Sequence, residues 1–116
     1  MIDTLNIIAM VLTIALGLVG FLAPDFTMKK LGLRPDGSNM GYTEIRAANG
    51  ALFVGAGLGA LFLSLPAAFA MVGFLYAGAA VGRITGILFN NASSKQSWAY
   101  FSAEAVLAIY LLVANL

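Results

Sequence analysis

The sequence predicts an all-α integral membrane protein: a four-helix bundle with a short interfacial helix in its first loop. Three observations carry this expectation. First, 61% of the 116 residues are hydrophobic and 9% are charged, against about 25% charged in a soluble domain. Too little polar surface remains to coat a globule in water, and the mean hydropathy is +0.95. Second, four stretches approach the roughly 20 apolar residues that a helix needs to cross a bilayer core of about 30 Å. Third, these runs are too long for strands and lack alternation of period two. In lipid, a helix also pairs its own backbone groups within the segment.

The spans are read in order as one domain over residues 1–116. Span one is Leu5 to Ala23, ended by Pro24-Asp25. No Lys or Arg precedes it and no clear small-x-small cleavage site follows it, so it reads as a retained span rather than a signal peptide. The first connection contains "PDFTMKKLGLRPDG". Pro24 suits the first turn of a short helix and Gly32 its stop. Phe26, Met28, Leu31 and Leu33 would dip into the headgroup layer. Lys29, Lys30 and Arg34 are candidate contacts to anionic lipid, at about 1 kcal/mol per basic residue. Span two is Tyr42 to Leu65, ended by Pro66. Span three is Ala67 to Phe89, ended by Asn90-Asn91, and span four is Trp98 to Leu116.

Orientation follows from the basic residues. The first connection holds Lys29, Lys30 and Arg34, and the third holds Lys95. The second connection has none. The positive-inside bias therefore puts connections one and three in the cytoplasm and both termini on the periplasmic side of a bacterial inner membrane. Tyr42 and Trp98 then start their spans at the cytoplasmic interface.

Small residues mark the expected helix contacts. Gly78, Gly82 and Gly86 stand four apart on span three, and Gly55 and Gly59 do so on span two. Such faces let helix backbones approach closely in lipid. The spacing does not name the partner helix, which can belong to the same bundle, a second copy or another protein.

Four charges lie within spans: Glu44, Arg46, Arg83 and Glu104. They sum to zero. From the helix rise, Arg83 and Glu104 both sit about 10 Å inside the same edge, so they can meet across antiparallel neighbours. Glu44 and Arg46 are two apart and point to different sides of their helix. Arg46 shares a face with Asn49 and Gly50. These residues form a candidate polar network of Glu44, Arg46, Asn49, Arg83 and Glu104. A structural role is favoured, because a balanced layer fixes helix register without needing to stabilise strongly. The competing role is a pocket, because intramembrane ionisable groups are functional candidates by default.

Chemistry is narrowed by absence. The sequence has no Cys and no His. That removes thiol redox, Cys/His zinc sites, His-ligated haem and Ser-His or Cys-His nucleophiles. No basic block tracks a phosphate backbone, so nucleic acid is not an expected partner.

The motifs "TEIRAANGA", "GRITGIL" and "SAEAVLAIYLL" occur in this order on spans two, three and four. Together they resemble a widespread group of small bacterial four-helix membrane proteins of unknown function. Glu44, Arg46, Ala47, Gly50, Gly82, Arg83 and Glu104 match that group's pattern position by position. Asn49 departs from it, since two small residues usually stand at Asn49-Gly50. The resemblance implies a fold like the DoxX-like proteins. Those relatives have been linked to quinone or thiol chemistry, and the lack of Cys removes the thiol part here.

The leading expectation is a non-catalytic accessory or interaction subunit of a larger membrane complex, meeting lipids and other transmembrane helices. The alternative is a binding protein or small carrier for a lipid-like or quinone-like molecule, with a polar pocket on the cytoplasmic side. A proton-coupled transporter ranks third.

Overall fold

The computed structural model describes residues 2–116, and every regular element among them is helical. Helix α1 is Ile2–Leu22, α2 is Pro24–Lys30 and α3 is Met40–Arg46. A π-helical turn, Ala47–Ala51, joins α3 to α4, Leu52–Leu63. The last two helices are α5, Pro66–Phe89, and α6, Lys95–Asn115. Four helical stretches are long and apolar enough to cross a membrane: Thr4–Leu22, Met40–Leu63, Pro66–Phe89 and Lys95–Asn115. The chain forms two compact units, Asp3–Phe62 and Leu63–Leu116.

In the first unit, α1 buries Asn6, Ala9, Met10, Thr13, Gly17 and Gly20 at intervals of one, three or four residues. This is the stripe of one helix face. Ile8, Val11, Leu12, Leu16 and Val19, off this stripe, remain 42–59% exposed. Thr13 closes its hydroxyl onto the Ala9 carbonyl at 2.8 Å, so it adds no unsatisfied donor to the buried stripe.

The chain breaks at Ala23 (φ −130°, ψ 66°) because Pro24 follows. Proline restricts the residue before it and has no N–H to continue the ladder. Thr27 then donates its hydroxyl to the Ala23 carbonyl at 3.0 Å. The short helix ends as its sequence predicts. Gly32 takes φ +74°, Leu33 N–H bonds the Met28 carbonyl at 2.8 Å and Gly32 N–H bonds the Lys29 carbonyl at 3.3 Å. This is a Schellman stop, which needs the left-handed residue that glycine supplies.

Span two starts at Met40 rather than Tyr42, and it is not a uniform α-helix. The π-turn widens the helix at Ala47–Ala51, with bonds spanning five residues instead of four. In the second unit, Ser64 adopts φ +51° and Leu65 is extended before Pro66, as a residue before proline prefers. The antiparallel helices α5 and α6 pack Gly73 against Leu111 and Leu112, with contact at 3.0 Å from a would-be Cβ. Helix α6 begins at Lys95 rather than Trp98, because Ser94 caps it by accepting the Ser97 N–H at 3.0 Å.

A Cβ built at Gly55, Gly59, Gly78, Gly82 or Gly86 would meet nothing within 4 Å. These five do not make the close helix contacts of their own units. The glycines that do are Gly17, Gly20, Gly50 and Gly57 in the first unit and Gly73 in the second. The close contacts within each unit thus use glycines other than those of the four-residue repeats.

Candidate functional site

The polar residues of the first unit are set by the crossing of α1 with the π-turn. A Cβ on Gly20 would overlap the Asn49 carbonyl oxygen, and one on Gly50 would lie 2.5 Å from the Phe21 nitrogen. One on Gly17 would lie 2.7 Å from the Gly50 carbonyl. Backbone therefore lies on backbone, which only glycine permits. Lower down the same crossing, Gly57 faces Ile14.

This contact brings Arg46 to the end of α1. Its guanidinium donates to the Phe21 carbonyl at 2.6 Å. The last carbonyls of a helix have no intrahelical partner, and they carry the negative end of its dipole. Arg46 thus caps α1 from another helix. Asn49 is exposed, and it is its backbone carbonyl that faces Gly20. Arg46, by its side chain, and Asn49, by its backbone, are thus parts of a helix junction.

Glu44 lies on another side of α3, as its spacing from Arg46 requires. It lines an open groove of about 470 Å³ with Arg34, Asp36, Ser38, Met28 and Ile45, among others. The groove runs between α2, the following connection and the start of α3. Among the described residues, Arg34, Asp36 and Glu44 have no ion-pair partner. Lys29 and Lys30 are exposed on the last turn of α2 and are not part of the groove lining. Lys30 lies over the Phe26 ring, 5.6 Å from its centroid, a contact that keeps both against the same surface. The Tyr42 hydroxyl lies beside the Asp25 carboxylate.

In the second unit the structure brings Arg83 and Glu104 together. The contact is bidentate: Nε to Oε1 at 2.7 Å and Nη2 to Oε2 at 3.0 Å. The side chains are 30% and 17% exposed. Two parallel bonds fix the fork of Arg against the plane of the carboxylate. The Tyr100 ring covers the guanidinium at 5.2 Å from its centroid, and Gln96 donates to the Tyr100 hydroxyl at 2.6 Å. The Arg83–Glu104 pair therefore satisfies itself, with an aromatic lid.

Among the five predicted polar residues, two are thus paired with each other and two are joined to the α1 crossing. Glu44 lines the groove beside α2. Sequence reasoning missed the Phe21 carbonyl as the partner of Arg46, the role of Gly17 and Gly20, and Asp36 as a groove residue. Two glycines three apart near the end of span one were a usable signal for the crossing. The π-turn had none beyond an Asn-Gly pair inside an apolar helix.

No curated protein and no solved structure matches this chain. One family model does, from residue 2 to 115, under the description domain of unknown function (DUF4345). The geometry above is accordingly that of a member of this family, to which the chain belongs.

Proposed function

We propose that the four long helices span a bacterial inner membrane and that the protein acts as a non-catalytic accessory or interaction subunit of a larger membrane complex. The observation that carries this reading is the set of open glycines. On α5, Gly78, Gly82 and Gly86 each leave room for a Cβ that nothing fills. Each glycine costs about 1 kcal/mol of helix propensity against alanine, with no packing gain inside its unit. A transmembrane helix of another protein, closely seated on that face, supplies the missing gain. The basic connections, with Lys29, Lys30, Arg34 and Lys95, would face the cytoplasm. The likeness of the Glu44–Gly50 and Gly82-Arg83 motifs to DoxX-like proteins belongs to the same reading.

The test is extraction from the native membrane in mild detergent, a native gel, and mass spectrometry of the co-migrating proteins. The expected result is migration with defined membrane proteins, lost in a Gly78→Leu, Gly82→Leu variant of unchanged helicity. Migration of the wild type alone overturns the reading. A pure homo-oligomer would keep the glycine face as an interface and remove the accessory role.

A second reading, a binding protein for a lipid-like molecule, is favoured by one specific observation. Three charged side chains without ion-pair partners among the described residues surround an open groove with apolar walls.

A further inference from the structure

We propose that the groove between α2 and α3 binds the headgroup of a phospholipid carrying a primary ammonium, that is, a phosphoethanolamine. The proposal rests on the second reading above and is independent of the glycine faces.

The argument starts from the lining. Among the described residues, Arg34 is the one basic side chain in it, and Asp36 and Glu44 are the two acidic ones. Met28, Leu33, Met40 and Ile45 supply apolar wall, and Ser38 adds a hydroxyl. A volume of about 470 Å³ falls in the range of small-molecule sites, roughly 300–1,000 Å³. Neither Arg34, Asp36 nor Glu44 is tied to an ion partner among the described residues, so all three can turn to a ligand.

The charge pattern selects among headgroups. An anionic headgroup would meet two carboxylates and one guanidinium, an unfavourable balance. A zwitterion meets both signs. Its phosphate matches the guanidinium, whose fork suits phosphate oxygens. Its cation matches the carboxylates.

The nature of the cation follows from what the lining lacks. Quaternary ammonium groups are recognised by aromatic cages, and among the described residues no aromatic side chain lines this groove. A primary ammonium instead offers three N–H donors, which two carboxylates and a serine oxygen can accept.

The position also fits. The groove lies where α2 and its connection meet the first turn of span two, at the end of the apolar helix. The apolar wall would take the glycerol-proximal carbons. Structurally, the same three charges would otherwise be ordinary solvated groups of a connection and a helix start, and that reading predicts no headgroup preference.

The test is native mass spectrometry of the full chain in detergent, with added phosphatidylethanolamine. It is repeated with its N-monomethyl and N,N-dimethyl forms, phosphatidylcholine and phosphatidylglycerol, all with the same acyl chains. The expected result is stepwise loss of retention along the methylation series. The drop from primary to quaternary should be about tenfold, the scale of one lost charged hydrogen bond. Phosphatidylglycerol should be retained no better than phosphatidylcholine. Asp36→Asn lies in the connection, outside every helix, and should bring phosphatidylethanolamine down toward the phosphatidylcholine level, as should Glu44→Gln. Equal retention of primary and quaternary headgroups overturns the proposal, as does stronger retention of phosphatidylglycerol. The methylation series needs no variant, so a misfolded mutant leaves the test intact. Failure here, with any bound lipid still detected, removes the headgroup assignment while the lipid-binding reading stands. No lipid bound at all removes both.

Discussion

The two units of this protein use the same scarce ingredients, an arginine and glycines in greasy helices, in opposite ways. In the first unit, Arg46 spends its guanidinium on a backbone carbonyl, at Phe21. Three glycines there let α1 lie against the π-turn with backbone touching backbone. In the second unit, Arg83 is held by a side chain, Glu104, through two bonds. Glycine there makes one close contact, Gly73 against two leucines. The difference teaches that an apolar helix pair can be registered either by shape at the backbone or by a matched polar fork. The two routes should fail differently when disturbed.

The largest expected effect is on the shape route. Gly20→Ala puts a Cβ onto the Asn49 carbonyl, and neither atom sits on a flexible side chain. Overpacking costs typically 1–3 kcal/mol and at times more, and this position should reach about 3 kcal/mol. Gly50→Ala should behave alike. The contrast is Gly82→Ala, where a Cβ meets nothing. That change should leave the isolated chain unharmed or up to about 1 kcal/mol more stable. Unfolding of the detergent-solubilised protein, followed by circular dichroism, reads all three. Equal losses at Gly20 and Gly82 would mean that the two classes of glycine are not distinct.

The polar fork comes next. Glu104→Gln leaves Arg83 with a neutral partner and should cost about 2 kcal/mol. This is below the 3–5 kcal/mol of a fully buried broken pair, because the side chains are partly exposed. Arg83→Leu should cost a similar amount. The double variant Arg83→Leu, Glu104→Leu should cost less than the sum, with a coupling of about 1–3 kcal/mol. Additive losses would show that the pair contributes little beyond packing of its stems.

Arg46 should matter less, since its contact is one bond at an exposed helix end. Arg46→Met should cost about 1 kcal/mol, the usual scale of a net hydrogen bond. Arg46→Lys should recover part of it, because one ammonium donor can still reach a carbonyl. If Arg46→Met costs more than Glu104→Gln, the cap on α1 outweighs the fork, and the ranking of the two routes reverses.

How much of this was legible beforehand differs between the units for physical reasons. The Arg83–Glu104 meeting follows from antiparallel neighbours and equal distances from a short connection, both readable from residue spacing. The Schellman stop at Gly32 follows from local backbone preference alone. The α1 crossing was not legible in the same way. It depends on Gly17, Gly20 and Gly50 facing one another across a long connection, and no local rule reports such a meeting. The π-turn is likewise hidden, because it changes the helix by one hydrogen-bond register without changing composition. The glycine repeats leave their partner open for the reverse reason. Spacing of four marks a face that permits close approach, but the packing energy depends on whether anything occupies it. The groove is hidden because it brings Arg34 and Asp36 of the connection beside Glu44 of α3, a tertiary meeting that residue spacing does not report.

The smallest expected effect concerns where α6 begins, and it sharpens the second unit's account. Apolar patterning starts this helix at Trp98, whereas the chain turns helical at Lys95 because the Ser94 hydroxyl accepts the Ser97 N–H at 3.0 Å. Ser93 accepts the indole N–H of Trp98 at 3.1 Å, a different device that anchors a ring rather than a helix end. A serine cap contributes typically about 1 kcal/mol, and an exposed one sits at the lower part of the 0.5–2 kcal/mol range. Ser94→Ala should therefore lower stability by somewhat under about 1 kcal/mol, and Ser94→Gly by only a few tenths. Ser94→Asp should hold or gain slightly, since a negative charge suits a helix N-terminus. Ser93→Ala should cost less than Ser94→Ala. Should Ser93→Ala cost more, the Trp98 ring would be the anchor of this connection. The first turn of α6 would then be a consequence of that anchor rather than of the cap.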